Sequence, residues 1–399
     1  MKFRNNSNEG FYMSAGGAFK TRIKGFDGLR TIAVIAVFIH HTGLIPLHGG
    51  FIGVDIFFVL SGFLITSILV NERISTGYID LFRFYIRRTG RLFPALLFFL
   101  VLISIYILAF KPAVSLSFEI LPPLGYFMNW VRAFDIYDAK LTGHTWTLAV
   151  EEQFYIIWPL VILAIWRVKF LKPIVVMLSL AIAAVLWRSY MVGSGAPPAR
   201  IYTGLDTHAD GLVFGAAIAV LPRSILFLIG KWLWMPAAAY ICYVLTSNSA
   251  TAFASYNIGF TVTALASVAV IAKIFSDQGS LVTKSLDFLP MRWFGRLSYG
   301  FYLWHYPVIK ILLYSGYQEF GMFFGTSIYP KITMFAACFG VSLLLTVISW
   351  YFIESPVQKK VHLWLQNYEA EKNQNDSALM MENPKMTAPV WPGRRKAHD

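Results

Sequence analysis

The sequence contains few cysteines and few charged residues, and each shortage excludes or disfavours a class of protein. Among its 399 residues are two cysteines, Cys242 and Cys338, which permit at most one disulfide and exclude a cysteine-based metal cluster. Only 14% of the residues are charged, compared with about 25% in a typical soluble domain. The 57% hydrophobic and 17% aromatic content excludes a disordered chain and argues against an ordinary soluble globule.

The hydrophobic residues lie in long runs separated by short basic clusters. The net charge of +13 is therefore not spread over a soluble surface, and we expect no nucleic acid as a partner. A helix needs about 20 apolar residues to cross a bilayer core about 30 Å thick. The sequence predicts an all-α polytopic membrane bundle with about ten transmembrane helices, at roughly 30–47, 51–70, 92–110, 154–170, 173–192, 208–222, 226–246, 257–275, 297–315 and 331–353.

The basic residues predict the orientation of this bundle. When the N-terminus is placed in the cytoplasm, most Lys and Arg residues fall in the cytoplasmic segments, as the positive-inside rule requires. An even number of spans then places both termini in the cytoplasm. The chain divides into a cytoplasmic N-terminal segment (1–24), a transmembrane domain (25–360) and a polar, disordered cytoplasmic tail (361–399).

The first predicted span joins an arginine to a histidine. Arg30 and His41 are eleven positions apart, so they share one helical face and lie about 16 Å apart along the axis. His40 points about 80° away from the helical face that Arg30 and His41 share. Placing an ionisable group inside a bilayer costs free energy, so we first interpret His41 as a functional residue. The alternative is that both histidines cap the outer end of the helix.

Acidic residues mark the outer ends of two further spans. Asp55, near the outer end of span two, lies at the predicted depth of His41 and could orient its imidazole. An N-cap of the helix is the alternative for Asp55. Glu151 and Glu152 stand at the entrance of span four. Adjacent helical positions diverge by about 100°, so at most one of these two carboxylates faces any given site.

Two arginines and a histidine occur at other unusual positions. Arg88 and Arg91 are three positions apart before span three, so they share a helical face that suits phosphate binding. The alternative is that they are ordinary basic residues of an inner loop. His305 lies about 13 Å into span nine and is followed by Pro307, which breaks the helix. This pattern indicates an opening lined by protein or water.

These residues stand in motifs that together resemble the integral-membrane acyltransferase 3 family, over about residues 24–360. One departure is Thr147, where the family usually has serine, but a hydroxyl is kept. In the family's order the motifs are Gly28-Leu29-Arg30 with ten residues before His41, Gly53-Val54-Asp55-Ile56-Phe57-Phe58-Val59-Leu60-Ser61-Gly62-Phe63, Arg87-Arg88-x-x-Arg91, Trp146-Thr147-Leu148-x-x-Glu151-Glu152-Gln153-Phe154-Tyr155, Asp206-x-x-x-Asp210 and Tyr302-Leu303-Trp304-His305-x-Pro307.

The resemblance implies O-acylation, usually O-acetylation, of a sugar hydroxyl in a cell-surface polysaccharide, lipopolysaccharide or similar glycan. It implies a multi-pass protein of the bacterial cytoplasmic (inner) membrane. The donor would be cytoplasmic acyl-CoA, most commonly acetyl-CoA, with no permanently bound cofactor and no metal. The other partners would be the glycan or glycolipid acceptor, membrane lipid and polysaccharide-assembly proteins.

A hydroxyl acceptor needs a general base when it attacks a thioester, and a neutral imidazole suits this task. We therefore expect His41 to be the base. The carboxylate that orients it would be Asp55 or one of Glu151 and Glu152. No Ser-His-Asp signature is visible, which favours direct transfer over a covalent acyl-enzyme.

The donor is expected to contact residues on the inner side. Arg88 and Arg91 would bind the phosphates of CoA. Arg30 would either bind the donor from below or set the charge state of its helix. Tyr302 and His305 would be pocket residues or donors to the developing oxyanion.

Other functional classes also fit part of this pattern. A transporter or flippase for a lipid-linked or acylated glycan would have similar spans and buried ionisable residues, although the two halves share no visible repeat. A different class of membrane acyltransferase would depend on His305 and not on His41. A purely structural scaffold would leave His41, Asp55 and His305 without an explanation.

Overall fold

The computed structural model describes residues 22–168, 172–246, 257–315 and 328–382, and these ranges contain helices and no strands. This agrees with the predicted all-α class. The described residues include short 3₁₀ turns at His48–Ile52 and Gly143–Thr145 and π-helical turns at Lys310–Ser315 and Trp350–Glu354. The helices are α1 (Phe26–Thr42), α2 (Gly53–Thr76), α3 (Leu81–Phe110), α4 (Leu116–Leu124), α5 (Met128–Ala133), α6 (Trp146–Arg167), α7 (Pro173–Gly193), α8 (Pro198–Thr203), α9 (Leu205–His208), α10 (Asp210–Ala219), α11 (Arg223–Thr246), α12 (Gly259–Ser276), α13 (Leu281–Leu286), α14 (Leu289–Ile309), α15 (Ile328–Ser349) and α16 (Ser355–Glu382).

Seven helical segments of the described residues are long and apolar enough to cross a membrane. Each coincides with one of the ten predicted spans. Their outward faces carry exposed large apolar side chains, as expected for helices in contact with lipid. The segments are His48–Thr76, Leu81–Phe110, Gly143–Arg167, Pro173–Gly193, Arg223–Thr246, Gly259–Ser276 and Lys331–Glu371.

The three other predicted spans correspond to helices that do not meet this criterion, so the count of ten is not supported. Helix α1 has 17 residues and α10 has 10, both fewer than the about 20 residues of a typical span. Helix α14 has 21 residues, but it contains Arg292, Arg296 and His305, which lower its hydropathy. The predicted functional histidines therefore lie on the short helix α1 and on the less apolar helix α14.

Residues 361–382, part of the segment predicted to be a disordered tail, belong to helix α16. Helix α16 packs on the beginning of α3. The ring of Phe82 contacts Trp364 and Tyr368, with centroids 6.1 and 5.7 Å away, and Arg83 Nε lies 2.7 Å from Glu369 Oε1. These aromatic contacts and this ion pair give a polar segment a surface to fold on. The predicted tail residues 383–399 lie outside the described residues.

The ends of α1 and α14 meet at both sides of the bundle, so the two helices run parallel. Near their beginnings, a Cβ atom on Gly295 would lie 1.9 Å from the carbonyl oxygen of Asp27. Near their ends, His41 contacts His305. Between these points Phe38 packs on Phe301, with ring centroids 5.5 Å apart. The close approach at glycine lets the two histidine-bearing helices pack along their whole length.

Helices α2 and α10 also cross at glycine. A Cβ atom on Gly62 would lie 1.8 Å from the carbonyl oxygen of Leu212, and one on Gly215 would lie 2.0 Å from that of Val59. Only residues without a side chain allow such a backbone approach. This crossing fixes the position of Ser61, which lies beside Gly62 and faces the site described next.

Candidate active site

Two imidazoles from α1 and α14 form a hydrogen-bonded pair. His41 Nδ1 lies 2.9 Å from His305 Nε2, and the ring centroids are 5.1 Å apart. His305 is fully buried, whereas His41 is half-buried. No carboxylate among the described residues forms an ion pair with either ring. The structure thus brings together the two histidines that the sequence placed on separate spans.

Hydroxyl groups and a third histidine surround this pair. Thr147 Oγ1 donates to the hydroxyl of Tyr302 over 2.8 Å, and Tyr302 donates to the carbonyl oxygen of His144 over 3.1 Å. The ring of His144 lies 5.5 Å from that of His305, and its Nε2 is 3.1 Å from the carbonyl oxygen of Leu303. The hydroxyl of Thr147 therefore belongs to the same hydrogen-bonded cluster as Tyr302.

A cavity of about 310 Å³ leads from this cluster towards the beginnings of α1 and α3. Its volume is at the lower end of the range for small-molecule sites, about 300–1,000 Å³. Tyr302 lines the cavity, and His305 is one helical turn further along α14, about 4.5 Å along the axis. The lining side chains include four arginines and two acidic residues, Arg22, Arg30, Arg88, Arg91, Asp27 and Glu151.

The arginines at the other end of the cavity differ in their partners. Arg30 Nη1 lies 3.4 Å from Asp27 Oδ1. Arg88 and Arg91 form no ion pair with a described residue. Arg88 stacks on the ring of Tyr155, and its buried Nε lacks a hydrogen-bond partner in the described part of the chain. Guanidiniums without a carboxylate partner are available to an anionic ligand.

The two adjacent glutamates of α6 have different surroundings. Glu151 lines the cavity, and its Oε1 accepts a hydrogen bond from Ser61 Oγ over 2.5 Å. Glu152 is not among the lining residues, and its Oε1 is buried without a hydrogen-bond partner among the described residues. One of the two carboxylates therefore faces the cavity and the other does not, as their 100° divergence requires.

Asp55 does not contact His41, which corrects the expectation that it would orient this imidazole. Asp55 Oδ1 lies 2.9 Å from His208 Nε2, and the Nδ1 atom of His208 is 2.6 Å from the carbonyl oxygen of Tyr202. The acidic residue on α2 pairs with a histidine at the end of α9, because the following helix α10 packs against α2. The partner of His41 is another histidine.

Asp206 and Asp210 of the same motif also have separate partners. Arg188 binds Asp210 through two parallel hydrogen bonds of 2.8 and 2.9 Å, and both side chains are buried. Asp206 pairs with Arg200 and accepts a hydrogen bond from Trp187. Burial opposes its ionisation, but these hydrogen bonds outweigh burial and lower the pKa of Asp206. Both carboxylates therefore have local structural partners.

The sequence predicted residues that lie at both ends of the cavity, but it did not predict several of the contacts. It did not assign Ser61 to Glu151, His208 to Asp55, or His144 to the carbonyl oxygen of Leu303. The available signal for His144 was its place at the start of the Trp146–Tyr155 motif. Pro307 could have indicated the role of Leu303. A proline has no N–H, so the carbonyl four residues earlier lacks its helical hydrogen-bond donor.

Comparisons with known proteins agree with the resemblance seen in the motifs. An acyltransferase domain family matches residues 23–352. The peptidoglycan O-acetyltransferase OatA of Listeria monocytogenes is 35% identical over 367 residues, covering 84% of this chain and 56% of the relative. The O-acetyltransferase OatA of Staphylococcus aureus is 33% identical over 369 residues, covering 85% and 57%. The putative peptidoglycan O-acetyltransferase YrhL of Bacillus subtilis is 32% identical over 361 residues, covering 84% and 55%.

The chain thus spans little more than half the length of these curated relatives. No solved structure matches it. The matched domain covers both ends of the cavity and the His41–His305 pair that lies beyond it. The chain belongs to the acyltransferase 3 family.

Proposed function

We propose that this protein is a membrane O-acyltransferase that transfers an acyl group, most commonly acetyl, from acyl-CoA to a sugar hydroxyl. The observation that carries this proposal is the cavity. It joins Arg88 and Arg91 at one end to Tyr302 at the other, one helical turn before the His41–His305 pair. The arginines would bind the phosphates of the donor, and the acylated arm would extend towards the imidazoles. The cavity volume fits such an arm rather than a whole CoA molecule.

The imidazole pair supports direct transfer. His41 would remove the proton from the acceptor hydroxyl while its oxygen attacks the acyl carbon of the thioester. The new C–O bond forms as the C–S bond breaks, and the thiolate of CoA takes the proton from the His41 imidazolium. His41 first accepts the proton and then gives it up, so it returns to its starting state. The acceptor oxygen attacks the thioester directly, and no covalent acyl-enzyme forms.

The hydroxyls of Thr147 and Tyr302 support stabilisation of the developing oxyanion. Both lie at the cavity wall, 2.8 Å apart. A hydroxyl proton rotates to suit its acceptor, so either group could turn from its present partner to the oxyanion. Glu151 would hold Ser61 at the same wall, and Asp55 would act through His208 on the packing of α2 against α9.

We place the arginine end of the cavity on the cytoplasmic side of a bacterial cytoplasmic membrane, with both termini in the cytoplasm. The distribution of Lys and Arg between the connecting segments supports this orientation. The acceptor would then approach His41 from the opposite side. The names of the relatives make a peptidoglycan sugar the first acceptor to assay. Glycolipids and polysaccharide-assembly proteins would be further partners.

Acetyl transfer in isolated membranes tests this proposal. Membranes with the wild-type protein, with His41→Ala or with His40→Ala are supplied with labelled acetyl-CoA and an acceptor glycan, at matched expression. His40 is the matched control because its ring lies beside those of His41 and Phe51, with centroids 5.5 and 5.6 Å away, while the hydrogen bond to His305 comes from His41. We expect loss of the labelled O-acetyl ester in His41→Ala, by about 10²-fold or more, and its formation in His40→Ala.

Full transfer in His41→Ala would contradict the assignment of the base. Absence of transfer by the wild-type protein with every acceptor tested would favour the transporter alternative. In that case, export of a labelled glycan with and without His41 is the deciding measurement.

A further inference from the structure

Both ring nitrogens of His305 have partners, which fixes the position of its proton. Nδ1 lies 2.7 Å from the carbonyl oxygen of Tyr302, and Nε2 lies 2.9 Å from Nδ1 of His41. A carbonyl oxygen only accepts hydrogen bonds, so Nδ1 of His305 must carry a proton. The ring is fully buried and has no carboxylate partner among the described residues, so the neutral form is favoured. Nε2 of His305 is therefore a hydrogen-bond acceptor.

The proton of His41 follows from this assignment. Since Nε2 of His305 accepts, Nδ1 of His41 must donate, and the neutral ring of His41 then has its lone pair on Nε2. The hydrogen bond of the His41 ring to a described residue is made by Nδ1, which leaves Nε2 open, and the side chain is half-buried. The one basic nitrogen of this ring is thus the atom that a substrate can reach.

Helix α14 provides carbonyl acceptors where other enzymes use a carboxylate. Pro307 has no N–H, so the carbonyl of Leu303, four residues earlier, has no helical donor. His144 Nε2 lies 3.1 Å from this oxygen. The carbonyl of Tyr302 in the same turn accepts from His305. The turn before Pro307 therefore orients two imidazoles through backbone oxygens.

We propose that His305 is a positioning residue that keeps His41 in the tautomer with a proton on Nδ1, so that Nε2 of His41 is the atom that deprotonates the acceptor hydroxyl. This inference rests on the proposed function and specifies its base. In a catalytic triad a carboxylate holds the histidine, and its loss costs about 10⁴-fold because the wrong tautomer forms. Here a neutral imidazole bound to a carbonyl has that task, which avoids burying an uncompensated negative charge.

The test is nitrogen NMR of the full-length protein in lipid nanodiscs with ¹⁵N-labelled histidine, in which the two tautomers give distinct ring-nitrogen signals. The His41 signals are assigned by their loss in His41→Gln. We expect wild-type His41 to be protonated on Nδ1. In His305→Phe, which keeps a ring but removes the acceptor, this preference should disappear. In His305→Gln the amide oxygen can accept from His41, so the preference should be kept.

The same variants are compared in acetyl transfer. We expect His305→Phe to lower kcat by about a hundredfold with little change in the KM for acetyl-CoA, and His305→Gln to recover most of that loss. A wild-type His41 protonated on Nε2 overturns the proposal, as does an unchanged tautomer in folded His305→Phe. If His41→Ala keeps full transfer, the proposed base fails, whereas the NMR result still reports the tautomer separately.

Discussion

The guanidinium carbon of Arg88 lies 3.8 Å from the centre of the Tyr155 ring, so the cation lies against an aromatic face at the cavity wall. Arg88→Lys keeps the charge but loses the planar fork and the stacking. We expect the KM for acetyl-CoA to rise about tenfold, equivalent to about 1.4 kcal/mol, with kcat nearly unchanged. A saturation series of acetyl transfer measures both constants.

Arg87→Lys is the matched control for this prediction. Arg87 precedes Arg88 on α3 and is not among the residues that line the cavity. We expect its KM to stay at the wild-type value. An equal rise in KM for both variants, or a fall in kcat alone for Arg88→Lys, would show that Arg88 does not bind the donor.

The buried ion pair between Arg188 and Asp210 is expected to be important for stability. Removing one partner leaves an uncompensated buried charge, so Arg188→Met should lower the free energy of unfolding by about 3–5 kcal/mol. The more exposed pair of Arg200 and Asp206 provides the comparison, and Arg200→Met should cost about 0–1 kcal/mol. Thermal unfolding in detergent compares the two variants. Equal losses of stability in the two variants would contradict the expectation that the buried ion pair contributes more than the exposed one.

The crossing of α2 and α10 predicts a strong effect of a single methyl group. In Gly62→Ala the new Cβ atom would lie 1.8 Å from the Leu212 carbonyl oxygen, so the helices must separate. We expect a lower melting temperature and loss of acetyl transfer, because Ser61 and Glu151 shift with α2. Gly193→Ala is the control, since nothing lies within 4 Å of its Cβ position. Wild-type stability in Gly62→Ala would contradict the close crossing.

The carboxylate of Glu119 is buried and holds the loop that leads to His144. It accepts hydrogen bonds from the backbone N–H groups of Lys140, Leu141 and Thr142, the closest at 2.7 Å. Glu119→Gln places an amide donor against these N–H groups, so we expect a loss of about 1–3 kcal/mol in the free energy of unfolding. Asp138→Asn in the same loop is exposed and should cost little. Denaturation of both variants in detergent checks this, and equal costs would disprove the role of Glu119.

Much of the fold could be predicted from hydropathy, because lipid-facing helices need long apolar segments. The spans at 51–70, 92–110 and 226–246 all correspond to long apolar helices. The criterion misses α1 because that helix is short, and it misses α14 because that helix contains ionisable residues. The helix over 361–382 was not predicted from its polar composition, which does not show that Trp364, Tyr368 and Glu369 contact α3.

The candidate site could be predicted in its residue types and not in its pairings. Helical spacing placed Arg30 and His41 on one face of α1, at opposite ends of that helix. It could not decide that His41 contacts His305 and that Asp55 contacts His208, because both contacts join residues more than 150 positions apart. Such pairs depend on which helices pack together, and one sequence does not contain that information.

In the proposed function, the donor binds the arginines at one end of the cavity and its acyl group reacts at His41, which lies beyond the other end. Equilibrium binding of CoA to the purified protein in nanodiscs tests it most directly, with wild type, Arg88→Ala with Arg91→Ala, and His41→Ala. We expect the double arginine variant to lose CoA affinity by at least about tenfold and His41→Ala to bind CoA as wild type does while failing to transfer acetyl groups. Unchanged CoA affinity in the double arginine variant would contradict the account.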